Sequence, residues 1–312
     1  MRNATLGLEG MEISELVREL RVEKGVRQEV LYQGLCSRKR YFQLENGGVI
    51  MDELLSERLF SRLHVQYRLV DIMLDDEQFW QKECRHEVNI HIRKKCREKA
   101  EELLKEYEEK APQTEIHIQY VQAKRSEIYW RTGKEGAGEM FRKALEITMP
   151  VSELEKRLKD SGVISEDELW MYFCYRLCEN PFSIEEYALF LESVERWFLT
   201  AQIYAEVYFE TAYQFAVVLQ QAGQFALCRE ICQKAISWLK SGFKTYHLPE
   251  FYFMDAIAGM RLNPAKEEEK NLLQQCKMAY YVGLSFGEEE VAEELKRHCE
   301  EEFLWHITDS AK

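Results

Sequence analysis

Glycine and proline are scarce in this chain, 15 and 5 among 312 residues, and that scarcity excludes most β architectures. Sandwiches, barrels and doubly wound sheets need turn residues every few positions, whereas abundant Glu, Leu, Lys and Arg suit helices. Long apolar runs are lacking too. No stretch approaches the ~20 residues of a membrane span, and the opening MRNATLGLEG has no apolar segment of a signal peptide, so the expectation is a cytoplasmic protein with no membrane partner. Positive charge is in deficit, 42 Lys and Arg against 55 Asp and Glu for a net charge of −13, which argues against non-specific coating of nucleic acid. Cysteine is present nine times, but that number is odd, and CxxC motifs and His/Cys clusters are missing, so reduced thiols are expected rather than disulfides or a metal centre. Cys174 with Cys178, and Cys228 with Cys232, stand four apart and read as small core residues. The signatures of catalysis are absent as well: no glycine-rich phosphate loop, no GxSxG, no HExxH. His86 and His91 diverge on a helix, and Cys84 lacks a third ligand beside His86. The chain reads as a non-enzyme with no cofactor and no metal.

What is present is material for a helical core, 46% hydrophobic and 12% aromatic residues, in a length suited to about two domains. Charge marks a boundary. Residues 1–65 carry ten basic and ten acidic side chains, so the whole excess of −13 lies in residues 66–312. In the first module Ile13, Leu16, Val17 and Leu20 recur at helical spacing up to a stop at Gly25. A second helix begins near Gln28 and carries Val30, Leu31 and Leu35. Ser37 is a good cap for a third, with Tyr41 and Leu44 inward and Asn46-Gly47-Gly48 as its end. A fourth presents Leu54, Leu55, Leu59 and Leu63 to the same small core. The third helix begins with Arg38, Lys39 and Arg40, where the helix dipole is positive and each cation is unfavourable by about 0.3–1 kcal/mol. Phosphates and guanine edges would offset that cost.

The run LRVEKGVRQEVLYQGLCSRKRYFQLENG, Leu20 to Gly47, resembles the XRE-type helix-turn-helix. Its Gly34–Ser37 stretch is similar to that of the Rgg/PlcR/PrgX (RRNPP) peptide-sensing transcription regulators of Gram-positive bacteria. The resemblance implies a DNA-binding domain over residues 1–65, in which Gln28 contacts a phosphate, Arg38, Lys39 and Arg40 face the major groove of double-stranded DNA, and Gln43 lies near the backbone. Arg21 and Glu45 take the positions of an ion pair that ties helix 1 to helix 3. Three residues depart from the pattern. Arg27 stands where Ser or Thr usually caps helix 2, Tyr32 replaces a small residue, and Phe42 replaces a Ser on the third helix.

Residues 66–312 read as a succession of amphipathic helices with short breaks at Ala111-Pro112, Thr132-Gly133, Pro150, Ser161-Gly162, Asn180-Pro181, Gly223, Ser241-Gly242, Asn263-Pro264 and Gly287. Ala100, Ala144, Ala188, Ala235 and Ala279 follow one another at 44, 44, 47 and 44 residues, a period that suggests stacked helical hairpins. Ala188 is the weakest member. Glu210 to Lys240 resembles a tetratricopeptide repeat, with Phe215-Ala216, Leu219, Gly223, Cys228, Cys232 and Ala235 in its packing positions, and Trp130 to Met149 is a second, shorter match. Lys277 to Tyr281 and Leu284 to Gly287 resemble the terminal part of the same regulators. The expected fold is therefore all-α, a helix-turn-helix domain followed by a tetratricopeptide-like solenoid.

By repeat phase the first helices present Ala123, Glu127, Trp130, Tyr172, Arg176, Glu210, Tyr213, Val217 and Gln220. A mixture of polar and aromatic groups suits an extended peptide, although packing between helices accounts equally well for any one of these aromatics. The family resemblance implies a short peptide effector on Glu127, Trp130, Tyr172, Arg176, Glu210, Tyr213 and Gln220, and a homodimer held through the C-terminal helices. The resulting expectation is a homodimeric transcription regulator switched by an intracellular signalling peptide, as in quorum sensing. The alternative is a helical protein-interaction scaffold whose helix-turn-helix Tyr32 and Phe42 have degraded.

Overall fold

The computed structural model describes residues 13–48, 52–67, 74–133, 135–160, 162–201, 204–242 and 247–307. The opening MRNATLGLEG and Ser161 of one expected break lie outside these. Among the described residues there are sixteen α-helices and no strand. None of those helices is long and apolar enough to cross a membrane. The chain divides into two compact units, Met1–Pro181 with Leu199–Ile203, and Phe182–Phe198 with Tyr204–Lys312.

The first unit begins with four short helices, α1 (Ile13–Glu23), α2 (Gln28–Tyr32), α3 (Arg38–Glu45) and α4 (Glu53–Arg62). The inward residues of α1, α3 and α4 are those of the apolar periodicity: Leu16, Val17, Leu20, Tyr41, Leu44, Leu54, Leu55 and Leu59 are all buried. Ser37 caps α3 by accepting from the Arg40 amide at 3.2 Å, and Asp52 caps α4 by accepting from Leu55. Helix α2 is only five residues long, so Leu35 packs from the turn after it rather than from the helix itself. Arg27 precedes α2 and makes no side-chain cap, the loss expected when Arg replaces Ser or Thr, worth about 1 kcal/mol.

The unit continues with α5 (Asp76–Arg93), α6 (Arg97–Lys110), α7 (Glu115–Arg131), α8 (Ala137–Glu146), α9 (Val151–Asp160) and α10 (Glu166–Glu179). Helices α5 to α8 each pack on the next in sequence, and α8 also packs on α10. Leu16, Tyr41 and Leu59 share one apolar cluster with Val88, Leu104, Tyr107 and Tyr120. The small N-terminal helices are thus welded to the first hairpins by a continuous core.

The second unit holds most of α11 (Ile184–Ala201), then α12 (Ala205–Gln221), α13 (Phe225–Gly242), α14 (Leu248–Arg261), α15 (Lys266–Ser285) and α16 (Glu289–Phe303). From α12 on, consecutive helices pack in antiparallel-hairpin order. Phe215, Ala216, Leu219, Cys228, Cys232 and Ala235 are buried between α12 and α13. Gly223 at their turn has φ +72°, and Gln224 closes the end of α12 by donating to the Leu219 carbonyl at 2.9 Å, the geometry in which glycine is least strained. Four of the five period-marking alanines, Ala100, Ala144, Ala235 and Ala279, are fully buried. Ala188 is exposed and corrects the fifth: α11 packs through Tyr187, Phe190, Leu191 and Val194, with the Tyr187 ring stacked 5.4 Å from Phe215. Cys174 is buried as expected, whereas Cys178, in the last turn of α10, is exposed.

Candidate nucleic-acid interface

Helix α3 is set by its buried side. Tyr41, Leu44 and Glu45 face inward, and the Glu45 carboxylate gathers three elements. Arg21 Nε of α1 donates to it at 2.6 Å, Tyr41 Oη at 2.7 Å, and the Gln28 side-chain amide of α2 donates as well. Arg21 also donates to the Val26 carbonyl at 3.1 Å, fixing the loop that leads into α2. Burial alone would raise the Glu45 carboxyl, but the Arg21, Tyr41 and Gln28 hydrogen bonds outweigh it and hold the group below the ordinary carboxylate range. The Tyr32 ring lies 5.0 Å from that of Tyr41, so the large residue in α2 is absorbed as a packing partner.

The opposite side of α3 faces outward. Arg38, Lys39, Phe42 and Gln43 are exposed and Arg40 is partly so. The sole acidic residue of α3 is Glu45, buried and ion-paired. The outward side therefore carries three cations, one amide and one phenyl ring, with no carboxylate of its own helix beside them. Gln28, which the family resemblance puts on a phosphate, donates its side-chain amide to Glu45.

Beneath the turn between α2 and α3 lies a buried polar clamp that apolar periodicity does not reveal. Arg62, fully buried, donates through Nη1 to the carbonyls of Leu31 at 2.7 Å and Gln33 at 2.8 Å, and through Nε to Glu168 of α10 at 3.1 Å. Arg157 of α9 donates to the Val30 carbonyl at 2.9 Å and to Gln33 Oε1 at 3.1 Å. These two cations close the orphan carbonyls at the end of α2. Glu168 also accepts from Ser165 and from Thr148 Oγ1, and Thr148 in turn accepts from Gln119 at 2.6 Å. Gly34, in the turn itself, has φ +80°, and a Cβ there would meet the Thr148 carbonyl oxygen at 1.7 Å. The one signal in sequence is a charged residue, Arg62, within the apolar stripe of α4.

The residues assigned to a peptide fall in both units. In the first, Glu127 is buried between Lys124 at 2.9 Å and Arg131 at 3.0 Å. Trp130 is half-buried, edge-on to Phe141 and Trp170. Tyr172 and Arg176 are brought together and buried, Arg176 donating to Tyr172 Oη at 3.0 Å and to the Asn180 carbonyl at 2.8 Å. In the second unit Glu210, Tyr213, Val217 and Gln220 form one half-buried stripe along α12. His247 joins it, 2.8 Å from Glu210 and stacked on the Tyr213 ring at 4.4 Å. Burial would lower the imidazolium, but Glu210 and Glu250 raise it to about 10. The Gln220 side-chain nitrogen is buried with no hydrogen-bond partner among the described residues. Gln220 is among the residues read from the sequence, whereas His247 is not. Among the described residues no group of three or more His, Cys, Asp or Glu side chains could hold a metal ion.

No protein-family model and no curated protein sequence matches the chain. Among solved structures it is similar to Bacillus thuringiensis PlcR, crystallised in complex with a peptide and DNA, at a TM-score of 0.53 and 13% identity over 91% of this chain and 98% of that one. The Streptococcus dysgalactiae pheromone receptor Rgg2 is matched over 94% of this chain and 100% of that one, at 13% identity and a TM-score of 0.37. The first likeness establishes a shared fold: a helix-turn-helix followed by tetratricopeptide-like repeats.

Proposed function

We propose that the chain is a DNA-binding transcription regulator whose α3 reads the major groove and whose repeats bind a short peptide. The observation that carries this reading is the outward side of α3, which concentrates Arg38, Lys39 and Arg40 with no neighbouring carboxylate of its own helix in a chain that is otherwise strongly acidic. Residues 1–65 are the proposed DNA-binding domain, with Gln43 near the backbone and Gln28 reaching a phosphate only through the second N–H of its side-chain amide, the first being donated to Glu45. Residues 66–312 are the proposed peptide-binding and dimerisation domain. The shared fold with a protein crystallised with peptide and DNA supports both halves.

For the peptide, the half-buried Glu210, Tyr213 and Gln220 stripe is the best-equipped surface, since it sets a carboxylate, a phenol ring and an amide along one side of α12. Within the first unit, half-buried Trp130 offers an aromatic face of its own, while Glu127, Tyr172 and Arg176 are buried. For the homodimer, α15 and the Phe286 that caps it offer Met278, Tyr281, Leu284 and Phe286, large apolar side chains left exposed and suited to a self-complementary patch. A dimer would set two copies of α3 about 34–36 Å or a multiple apart on DNA.

The test is recovery of genomic fragments on the purified full-length chain, followed by binding of the recovered duplex at several salt concentrations. Replacing Arg38, Lys39 and Arg40 together by Ala is expected to abolish specific binding and flatten the slope of log affinity against log salt by up to about three units. Equal binding by parent and variant would remove α3 as the reading element and leave the scaffold reading in its place.

A further inference from the structure

Phe42 sits on the outward side of α3, 62% exposed, one turn beyond Arg38 and Lys39 and next to exposed Gln43. It is not a core residue displaced outward. Tyr41 and Leu44 fill the inner side of the helix, and the ring of Tyr32 pairs with Tyr41 instead. The backbone at Phe42 is held: its carbonyl accepts from the Asn46 side chain at 2.6 Å, at the end of the helix. A large apolar group is therefore presented from a fixed position one turn beyond a cationic first turn.

Such a surface selects a polyanion by charge, and the ring requires that the polyanion offer something apolar at the depth where α3 would lie. The phosphate backbone offers nothing of the kind, and the minor groove exposes only polar edges at A·T pairs. In the major groove the thymine C5-methyl is the one apolar feature by which a base pair is recognised. We infer that Phe42 is a sequence-reading residue that packs on the C5-methyl of a thymine in the major groove, beside the bases and phosphates engaged by Arg38, Lys39 and Arg40. This rests on the DNA-binding reading above and adds to it a stated base preference.

Preferred duplexes are selected from a random pool with the full-length chain, and each thymine of the preferred sequence is then replaced singly by deoxyuridine, which removes only the methyl group. The expected result is one position per half-site where the parent loses about fourfold in affinity, the worth of one buried methyl, with the other positions unchanged. Phe42→Ala should bind the thymine and deoxyuridine duplexes alike, and Phe42→Leu should keep part of the discrimination. Both variants should retain the parental salt slope. A parent indifferent to every methyl, or Phe42→Ala that still discriminates, overturns the inference while leaving DNA binding intact. Failure to enrich any sequence, together with no effect of the triple Ala replacement of Arg38, Lys39 and Arg40, overturns the DNA reading and this inference with it.

Discussion

Glu168 is fully buried, and its carboxylate is the counter-charge of equally buried Arg62. Burial pushes the Glu168 carboxyl up, but Arg62 and the Ser165 hydrogen bonds overcome that and hold it at about 2 against an ordinary 4.5. At 1.36 kcal/mol per unit this difference corresponds to about 3 kcal/mol. Because the folded carboxyl is depressed, the contribution is fully present above about pH 4.5 and is lost as pH falls toward 2. Replacement by Gln keeps the shape and removes the charge, leaving the buried Arg62 guanidinium without an anionic partner and with neutral acceptors such as the Leu31 and Gln33 carbonyls. Breaking one side of a buried pair costs about 3–5 kcal/mol, so the two routes agree. Glu168→Gln is expected to destabilise the first unit by about 3 kcal/mol at pH 7 and by much less near pH 3. The chain has two compact units, so a single melting temperature would mix them. Hydrogen exchange of the α4 and α10 amides reads the first unit alone. Exchange in those helices faster by about a hundredfold is the expected outcome. A change under about fivefold at pH 7 would refute the claim that this pair holds the α2–α3 turn.

Three further outcomes follow from single features. Gly34→Ala places a Cβ at φ +80° against the Thr148 carbonyl and should cost at least about 2 kcal/mol, whereas Gly223→Ala, at φ +72° with open space around its Cβ, should cost about 1; equal losses in denaturant titrations would show that the turn does not touch Thr148. His247, raised to about 10 by Glu210 and Glu250, contributes stability that is complete below about pH 6.5 and lost as pH rises through 10. In an NMR titration its imidazole should stay protonated at pH 8, and Glu210→Gln should lower its midpoint; a parental midpoint near 6.5 would dissolve the assigned ion pairs. Tyr281→Glu with Phe286→Glu, on the exposed face of α15 and at its cap, should turn a dimer into monomers by sedimentation without loss of helicity, and a parent that is monomeric at micromolar concentration would remove that face from the proposal.

Helices α1, α3 and α4 were legible in the sequence because each writes its own instructions within a dozen residues: an apolar stripe, a capping Ser37, a stop at Asn46-Gly47. The repeat period was legible for the same reason wherever a small residue marks close helix contact, as at Ala100, Ala144, Ala235 and Ala279. At Ala188 it failed, because α11 makes its contact through aromatic Tyr187 and Phe190 and no small residue is needed there. The cationic first turn of α3 could be read from adjacent positions, but that Arg38, Lys39 and Phe42 are outward while Gln28 is bound to Glu45 depended on the other helices of the core. The Arg62–Glu168 pair joins residues 106 apart, and Arg157 reaches Val30 across 127. A charged side chain states locally only that it prefers water. Whether burial leaves it paired or stranded depends on which distant groups the fold brings within hydrogen-bond reach, so local spacing carries the helices and most of their repeat, while contacts between residues far apart in the chain set how the helix-turn-helix is held.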